Sequence, residues 1–303
     1  MPYDLTEPLV IGISSRALFD LEEENRIFEE QGLEVYAAYQ QAHENDILPK
    51  GAAFPLVKAF LQLNQLAERK MVEVIIMSRN SSDTSLRIFK SIHAYHLDIT
   101  RAALVGGANI APYLKAFQTD LFLSAHAPDV KQAVDSGIAA GQILTGSSSR
   151  EERIDQIRIA FDGDAVLFAA ESERIYQRQG LRAFYDHETA HAGVPLPRGP
   201  FANFLMTLSN LQNQFKNRET SPIRTALVTA RSAPAHERAI RTLCDWNVRV
   251  DEAFFLGGVS KRDVLAAFGA HIFFDDQETH ARPASEVVPS AVVPYREGDN
   301  PHT

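Results

Sequence analysis

Cysteine is almost missing from this chain. Cys244 stands alone among 303 residues, which excludes an internal disulfide and any metal site built on several thiolates, and it suits a reducing compartment. Its place in a helical stretch predicts a small core residue. An excess of positive charge is missing too. With 30 Lys and Arg against 39 Asp and Glu the net charge is −9, so no general attraction to nucleic acid or to an anionic membrane is expected, and a phosphate-bearing ligand would need specific cations. No 18 apolar residues follow one another, and Met1-Pro2-Tyr3-Asp4 lacks a basic leader; the expectation is a cytoplasmic protein without a membrane segment. Apolar residues, at 45% of the chain, are plentiful enough for one large or two medium cores.

The apolar residues fall in short runs separated by amphipathic stretches. Runs at 9–13, 72–77, 102–105 and 121–123 read as buried strands, as do those at 157–161, 225–229 and 271–274. Helices are predicted at 21–31 and 33–45, divided at Gly32, then at 54–68, 84–93, 111–117 and 128–136. Such alternation argues for an α/β fold with a parallel sheet covered on both faces.

The second half repeats the plan of the first. The phrase Glu24 to Leu33 corresponds to Ser172 to Leu181, and Ala42-His43 to Ala190-His191. Leu48-Pro49-Lys50-Gly51 matches Leu196-Pro197-Arg198-Gly199, and Val105-Gly106-Gly107 matches Leu256-Gly257-Gly258. A spacing near 150 residues throughout implies a tandem duplication, with domains at 1–148 and 149–303 joined by a polar linker at 146–152.

The copies differ where chemistry is expected. Asp162-Gly163-Asp164 ends a strand and sets two carboxylates two residues apart, so that one can attack or bind metal while the other handles a proton. Thr229 ends the next strand, and Ala230 and Arg231 open a helix where N–H groups and a guanidinium suit a phosphate. Lys261 stands at a helix start, and Asp275-Asp276 close a strand, completing with Asp162 an oxygen-rich cluster suited to Mg²⁺. Each feature alone has a plain explanation as a cap or a solvated turn; the set is more specific. Aligned on the landmarks, Asp162 falls opposite Ile13, Asp164 opposite Ser15 and Thr229 opposite Met77, while Lys261 meets Ile110, Asp275 meets Ser124 and Asp276 meets Ala125. Scaffold residues persist in both copies and these six do not, so the second half alone is expected to be catalytic.

The order Asp-x-Asp, Thr, Lys, Asp-Asp resembles the four motifs of the haloacid dehalogenase (HAD) superfamily of phosphohydrolases. The phrases Ser14 to Asp20, Phe161 to Phe168, Leu227 to Ser232 and Ile272 to Gln277 resemble the cytosolic 5′-nucleotidase type I family over nearly the whole chain. The resemblance implies two HAD-like Rossmann-type halves with helical cap insertions, and a Mg²⁺-dependent hydrolysis of nucleoside 5′-monophosphates, AMP among them. In that chemistry Asp162 forms an aspartyl-phosphate, Asp164 is acid and then base, and Thr229 and Lys261 bind the transferring oxygens. Asp162, Asp275 or Asp276 and the carbonyl of Asp164 hold the metal.

Residues 169–221 are too long for a turn and are expected to form a helical cap. Within it His187, Glu188, His191 and Arg198, with Gly163 at the motif, are candidates for substrate contact. His191 and Arg198 have counterparts in His43 and Lys50, which favours a structural role for those two. In the first half Ser14, Ser15, Arg16, Ser78, Arg79, Asn80 and Ser81 fall at strand ends and form a candidate regulatory site for a nucleotide effector such as ADP or ATP; the alternative is a scaffold only. Two other functions stay open: a HAD phosphatase of another small ester such as a sugar phosphate, and a non-catalytic nucleotide-binding regulator. A homo-oligomer is compatible with either.

Overall fold

A computed structural model describes residues 4–144, 154–215 and 220–296; the linker expected at 146–152 lies outside them. The chain runs β1 (Leu9–Ile13), α1 (Ser15–Leu18), α2 (Glu22–Ala42), α3 (Phe54–Leu63), β2 (Val72–Ser78), α4 (Leu86–Ala94), β3 (Arg101–Leu104), α5 (Ala111–Ala116), β4 (Leu121–Ser124), α6 (Ala127–Asp135) and β5 (Ala139–Ile143). It then continues β6 (Ile157–Phe161), α7 (Glu171–Ala190), α8 (Ala202–Asn213), β7 (Ile223–Thr229), α9 (His236–Asp245), β8 (Glu252–Phe255), α10 (Lys261–Phe268), β9 (Ile272–Asp275), α11 (Glu278–Ser285) and β10 (Ser290–Val292).

The strands form one sheet in the order β3-β2-β1-β4-β5-β10-β9-β6-β7-β8. Every pairing is parallel except β5 with β10, where Ala291 faces Ile143 and Val292 faces Gln142. The sequence suggested a sheet for each half; instead the two five-stranded arrays share one. Each would otherwise end on a buried strand with unpaired N–H and C=O groups, and the antiparallel joint satisfies them.

Alternation along the strands sorts the core. Leu9, Ile11 and Ile13 with Ile157, Ile159 and Phe161 point to one face, where a single apolar cluster runs through both halves. On the other face Val10, Ile75 and Phe122 belong to one cluster, and Ala160, Val228 and Phe273 to another. Phe161 stacks on Phe274 at 5.7 Å, and Phe201 lies 4.5 Å from Phe274; each such buried ring stabilises the fold by about 1.5–3 kcal/mol. These rings sit directly beneath the strand ends that carry Asp162 and Asp275.

Helix α2 is broken at Gly32 (φ 84, ψ 178) and α7 at Gly180 (φ 82, ψ 178), a conformation that L side chains rarely adopt. Of the stretch expected to cap the site, α8 lies in the core through Phe204, Leu205 and Leu208, whereas α7 is largely exposed and buries only Ser172, Phe184 and Glu188. Cys244 is on α9 but exposed, not in the core: the buried face of α9 is Arg238, Ala239, Thr242 and Leu243, and the next residue turns outward. No helix among the described residues is long and apolar enough to cross a membrane.

Candidate active site

Strands β6 and β9 are neighbours in register, Phe161 beside Phe274. Their next residues are therefore forced together at the carboxyl edge: the Asp162 N–H donates to the Phe274 carbonyl at 2.8 Å. One carboxylate oxygen from each of Asp162, Asp275 and Asp276 lies within 4.8 Å of the others, and all three residues are buried. Lys261, the first residue of α10, enters from the side. Its Nζ lies 3.0 Å from Asp162 Oδ1 and 2.7 Å from Asp275 Oδ2. Ser260 caps α10 by accepting from the Arg262 N–H, which fixes where Lys261 emerges.

Crowding sets the electrostatics. Burial, partly offset by Lys261, pushes Asp162 up to about 7, and the Asp275 charge adds to the rise. Asp276 is raised well above the carboxylate range by burial and by its two acidic neighbours. Asp275 resists its own burial because Lys261 and His280 hold it below its ordinary value. Lys261 is in turn raised by the two carboxylates in spite of burial. Two further contacts fix the cluster: the Gly163 N–H donates to Asp162 Oδ1 at 2.7 Å, and the Gln277 N–H to Asp275 Oδ1 at 2.8 Å. The Tyr295 hydroxyl donates to Asp276 Oδ2, while Asp276 Oδ1 is buried without a partner among the described residues.

Thr229 ends β7 and is buried beside this cluster, its hydroxyl accepting from the Arg231 N–H at 3.3 Å. A Cβ on Gly163 would meet Thr229 Oγ1 at 3.1 Å, so the Asp-x-Asp turn passes tightly over the threonine. The structure thus brings Asp162, Gly163, Thr229, Lys261, Asp275 and Asp276 together.

Asp164 and Arg231 form a second group. The Arg231 guanidinium donates to both Asp164 oxygens, at 2.8 and 2.7 Å, and to Glu188 Oε2. It is sandwiched between the Phe168 and Phe184 rings, 5.8 and 5.5 Å away. Glu188, fully buried, also accepts from Arg238 at 2.9 Å and from the Ser172 hydroxyl at 2.8 Å. Two arginines outweigh burial and hold the Glu188 carboxyl below its ordinary value. Arg231 therefore faces a carboxylate pair, although the sequence placed it among the phosphate contacts; Ala230 beside it is exposed.

The other candidates lie apart. His191 packs its ring 4.2 Å from that of His187, and its Nδ1 meets the His187 carbonyl at 2.8 Å. His43 repeats this on Tyr39, with rings 4.1 Å apart and a 2.9 Å contact. Arg198 is exposed and lies 5.9 Å over Trp246, much as Lys50 lies 5.6 Å over Tyr95. His187 Nδ1 is 3.3 Å from Glu188 Oε1, at the border of the Arg231 group.

Backbone hydrogen bonds correct two of the sequence correspondences. Ser14 N–H donates to Leu123 O as Asp162 N–H does to Phe274 O, so Asp162 stands opposite Ser14, not Ile13. Val105 N–H donates to Ser78 O as Leu256 N–H does to Thr229 O, so Thr229 stands opposite Ser78, not Met77. The turn 163–168 carries one residue more than its counterpart, which shifted the alignment. Asp275 does face Ser124: His126 N–H donates to Ser124 Oγ as Gln277 N–H does to Asp275 Oδ1.

Tyr295, Arg238 and Ser172 did not stand out in the sequence. The one signal near Tyr295, the apolar run 291–293 after Pro289, is too short to read as a strand.

The 5′-nucleotidase family profile matches residues 1–300. Cytosolic 5′-nucleotidase 1B of Homo sapiens is 39% identical over 289 residues, which cover 92% of this chain and 47% of that protein; the chain spans about half the length of that relative. Among solved structures, a putative universal stress protein from Pseudomonas aeruginosa UCBPP-PA14 aligns over 96% of this chain and 94% of its own at 10% identity and a TM-score of 0.34. A histidinol dehydrogenase from Elizabethkingia anophelis aligns over 94% and 52% at 11% identity and a TM-score of 0.25. Neither likeness is close enough to inform the fold.

Proposed function

The chain belongs to the 5′-nucleotidase family, and from that premise we propose that it is a cytoplasmic phosphomonoesterase that hydrolyses nucleoside 5′-monophosphates, AMP among them, to nucleoside and phosphate. One geometric fact carries this reading: Asp162, Asp275 and Asp276 converge on one point, bridged by Lys261 and flanked by Thr229. We read the two halves as tandem copies, 1–148 and 149–303, of which the second is catalytic. The matched hydrogen bonds and the matched breaks at Gly32 and Gly180 support it.

The donor set fits a hard divalent cation. All the ligand atoms are oxygens, which suits Mg²⁺. Three carboxyl groups share one lysine, and Asp276 Oδ1 has no partner among the described residues. Asp162, with Asp275 or Asp276 and the Asp164 carbonyl, would hold the ion, which when bound shields charge between nucleophile and phosphate.

Asp162 attacks phosphorus in line, forming the O–P bond of an aspartyl-phosphate as the bond from phosphorus to the 5′-oxygen breaks. Asp164 gives its proton to that departing oxygen, then takes one from the water that cleaves the acyl-phosphate, releasing phosphate and freeing Asp162. Both Asp164 oxygens accept from Arg231 in the resting arrangement, so one of them must leave the guanidinium when substrate binds and take up a proton from solvent or from a substrate monoanion before it can protonate the 5′-oxygen. Lys261 opposes the rise that burial imposes on Asp162, favouring its ionised form for attack, and, with Thr229, offers donors to the transferring oxygens.

The test is phosphate release from a panel of nucleoside monophosphates and sugar phosphates, with Mg²⁺ and with EDTA. Turnover of AMP that needs Mg²⁺ and exceeds turnover of ribose 5-phosphate is expected. Preference for sugar phosphates, or release unaffected by EDTA, would reject this assignment.

A further inference from the structure

The first half holds a cavity of about 390 Å³ at the carboxyl ends of β1, β2 and β4, within the size range of small-molecule sites. Three of its walls are the residues that stand opposite the catalytic cluster. Ser14, Ser78 and Ser124 occupy the places of Asp162, Thr229 and Asp275, so hydroxyls replace two carboxylates, and among the described residues no metal-binding cluster of acids lies there. In the second half Arg231 and Phe184 fill the corresponding space. The first half has Asn80 and Tyr36 instead, joined by a 3.0 Å hydrogen bond, and the volume stays open.

The charge around the cavity favours an anion. Its two acids are already paired: Glu24 with Arg87 at 2.5 Å, and Asp129 with Arg79 at 3.5 Å and with His126 at 3.3 Å. Arg16 lines the cavity; one guanidinium nitrogen reaches the exposed Glu22 at 3.5 Å, while its Nε is buried without a hydrogen-bond partner among the described residues. The opposite wall is apolar, with Phe28 and Tyr36 edge to face at 5.7 Å.

We propose that this cavity binds a phosphate monoester with an aromatic body, its phosphate at Ser14, Ser78 and Arg16 and its ring against Phe28 and Tyr36, without cleaving it and without a metal ion. Bond breaking is absent because no carboxylate stands where Asp162 does. The choice of phosphate rests on reading the second half as a phosphate site, but binding here does not depend on turnover there.

Removing the metal separates the two sites, since three carboxylates that share one lysine repel a phosphate dianion while the described residues of the first half hold no such cluster. In the full chain with excess EDTA, calorimetric titration with AMP should give one site per chain. Arg16→Ala should weaken it at least about tenfold, through loss of a charge-assisted contact, and Phe28→Ala about threefold; Mg²⁺-dependent turnover at saturating substrate should stay within about twofold for both, which also reports that they fold. Inorganic phosphate should bind more weakly than AMP. No binding in EDTA, binding unchanged by Arg16→Ala, binding lost in Lys261→Met, or phosphate binding as tightly as AMP would each overturn the proposal. If AMP binds in the Arg16-dependent manner but no ester is hydrolysed, this site stands and the assigned reaction falls.

Discussion

Two strand-end clusters on one sheet, Ser14, Ser78 and Ser124 against Asp162, Thr229 and Asp275, hang from the same pattern of backbone hydrogen bonds. Their surroundings differ as much as their side chains. The serine cluster borders an open cavity; the acidic cluster is closed around Lys261, with Arg231 locked between Asp164 and Glu188. The carboxylate that pairs with a buried arginine has also moved: Glu24 near the start of α2 pairs with Arg87, whereas Glu188 near the end of α7 pairs with Arg238, and Ser172 stands where Glu24 does. The ladder of parallel strands fixes where side chains emerge, and it is indifferent to what they carry. Chemistry can therefore differ between halves without a change of scaffold.

The comparison breaks most sharply at the nucleophile. Asp162→Asn should stay folded, since Lys261 keeps Asp275 as a partner, and should lose at least about a thousandfold in turnover. Ser14→Ala, at the matching place, should stay within about twofold. Equal losses in a phosphate-release assay would mean that both clusters serve catalysis.

A smaller effect is expected one shell further out. Arg231→Lys keeps the charge but not the planar fork that holds both Asp164 oxygens, so kcat should fall about 10- to 100-fold, with a stability loss of about 1–3 kcal/mol. Asn80→Ala, its counterpart, should leave kcat unchanged and cost about 1–3 kcal/mol for two lost hydrogen bonds. Steady-state kinetics with thermal melts decides this, and unchanged kcat in Arg231→Lys would remove Asp164 positioning from the mechanism.

Smallest and most alike should be the helix breaks. Gly32→Ala and Gly180→Ala meet no atom within 4 Å, so each costs only the strain of its positive φ, about 1–3 kcal/mol. Melting temperatures of the two variants should fall by similar amounts. A clear inequality would show that one break carries a packing role the other lacks.

The fold was legible where local signals suffice. Apolar runs located β1, β2, β4, β6, β7 and β9, and Gly32 marked a real break in α2, because period, burial and a glycine's freedom are properties of neighbouring residues. Strands β5, β8 and β10 were missed: β8 is Glu-Ala-Phe-Phe at the sheet edge, and of the other two one is Ala-Ala-Gly-Gln-Ile and one three residues long, too small or too short to show a pattern. These last two join the halves.

Sequence by itself determined the alternation of strands and helices, the likeness of its two halves, which acids and threonine close strands, and which lysine opens a helix. Tertiary structure alone decided that Asp162 takes the strand-end place that Ser14 takes in the first half, that Tyr295 rests on Asp276, that Arg231 turns to Asp164 and Glu188, and that ten strands share one sheet. The physical reason is that register and ion pairing join groups tens of residues apart. They are chosen by whichever neighbour completes a hydrogen-bond ladder or neutralises a buried charge, and nothing in the local chain encodes which neighbour that will be.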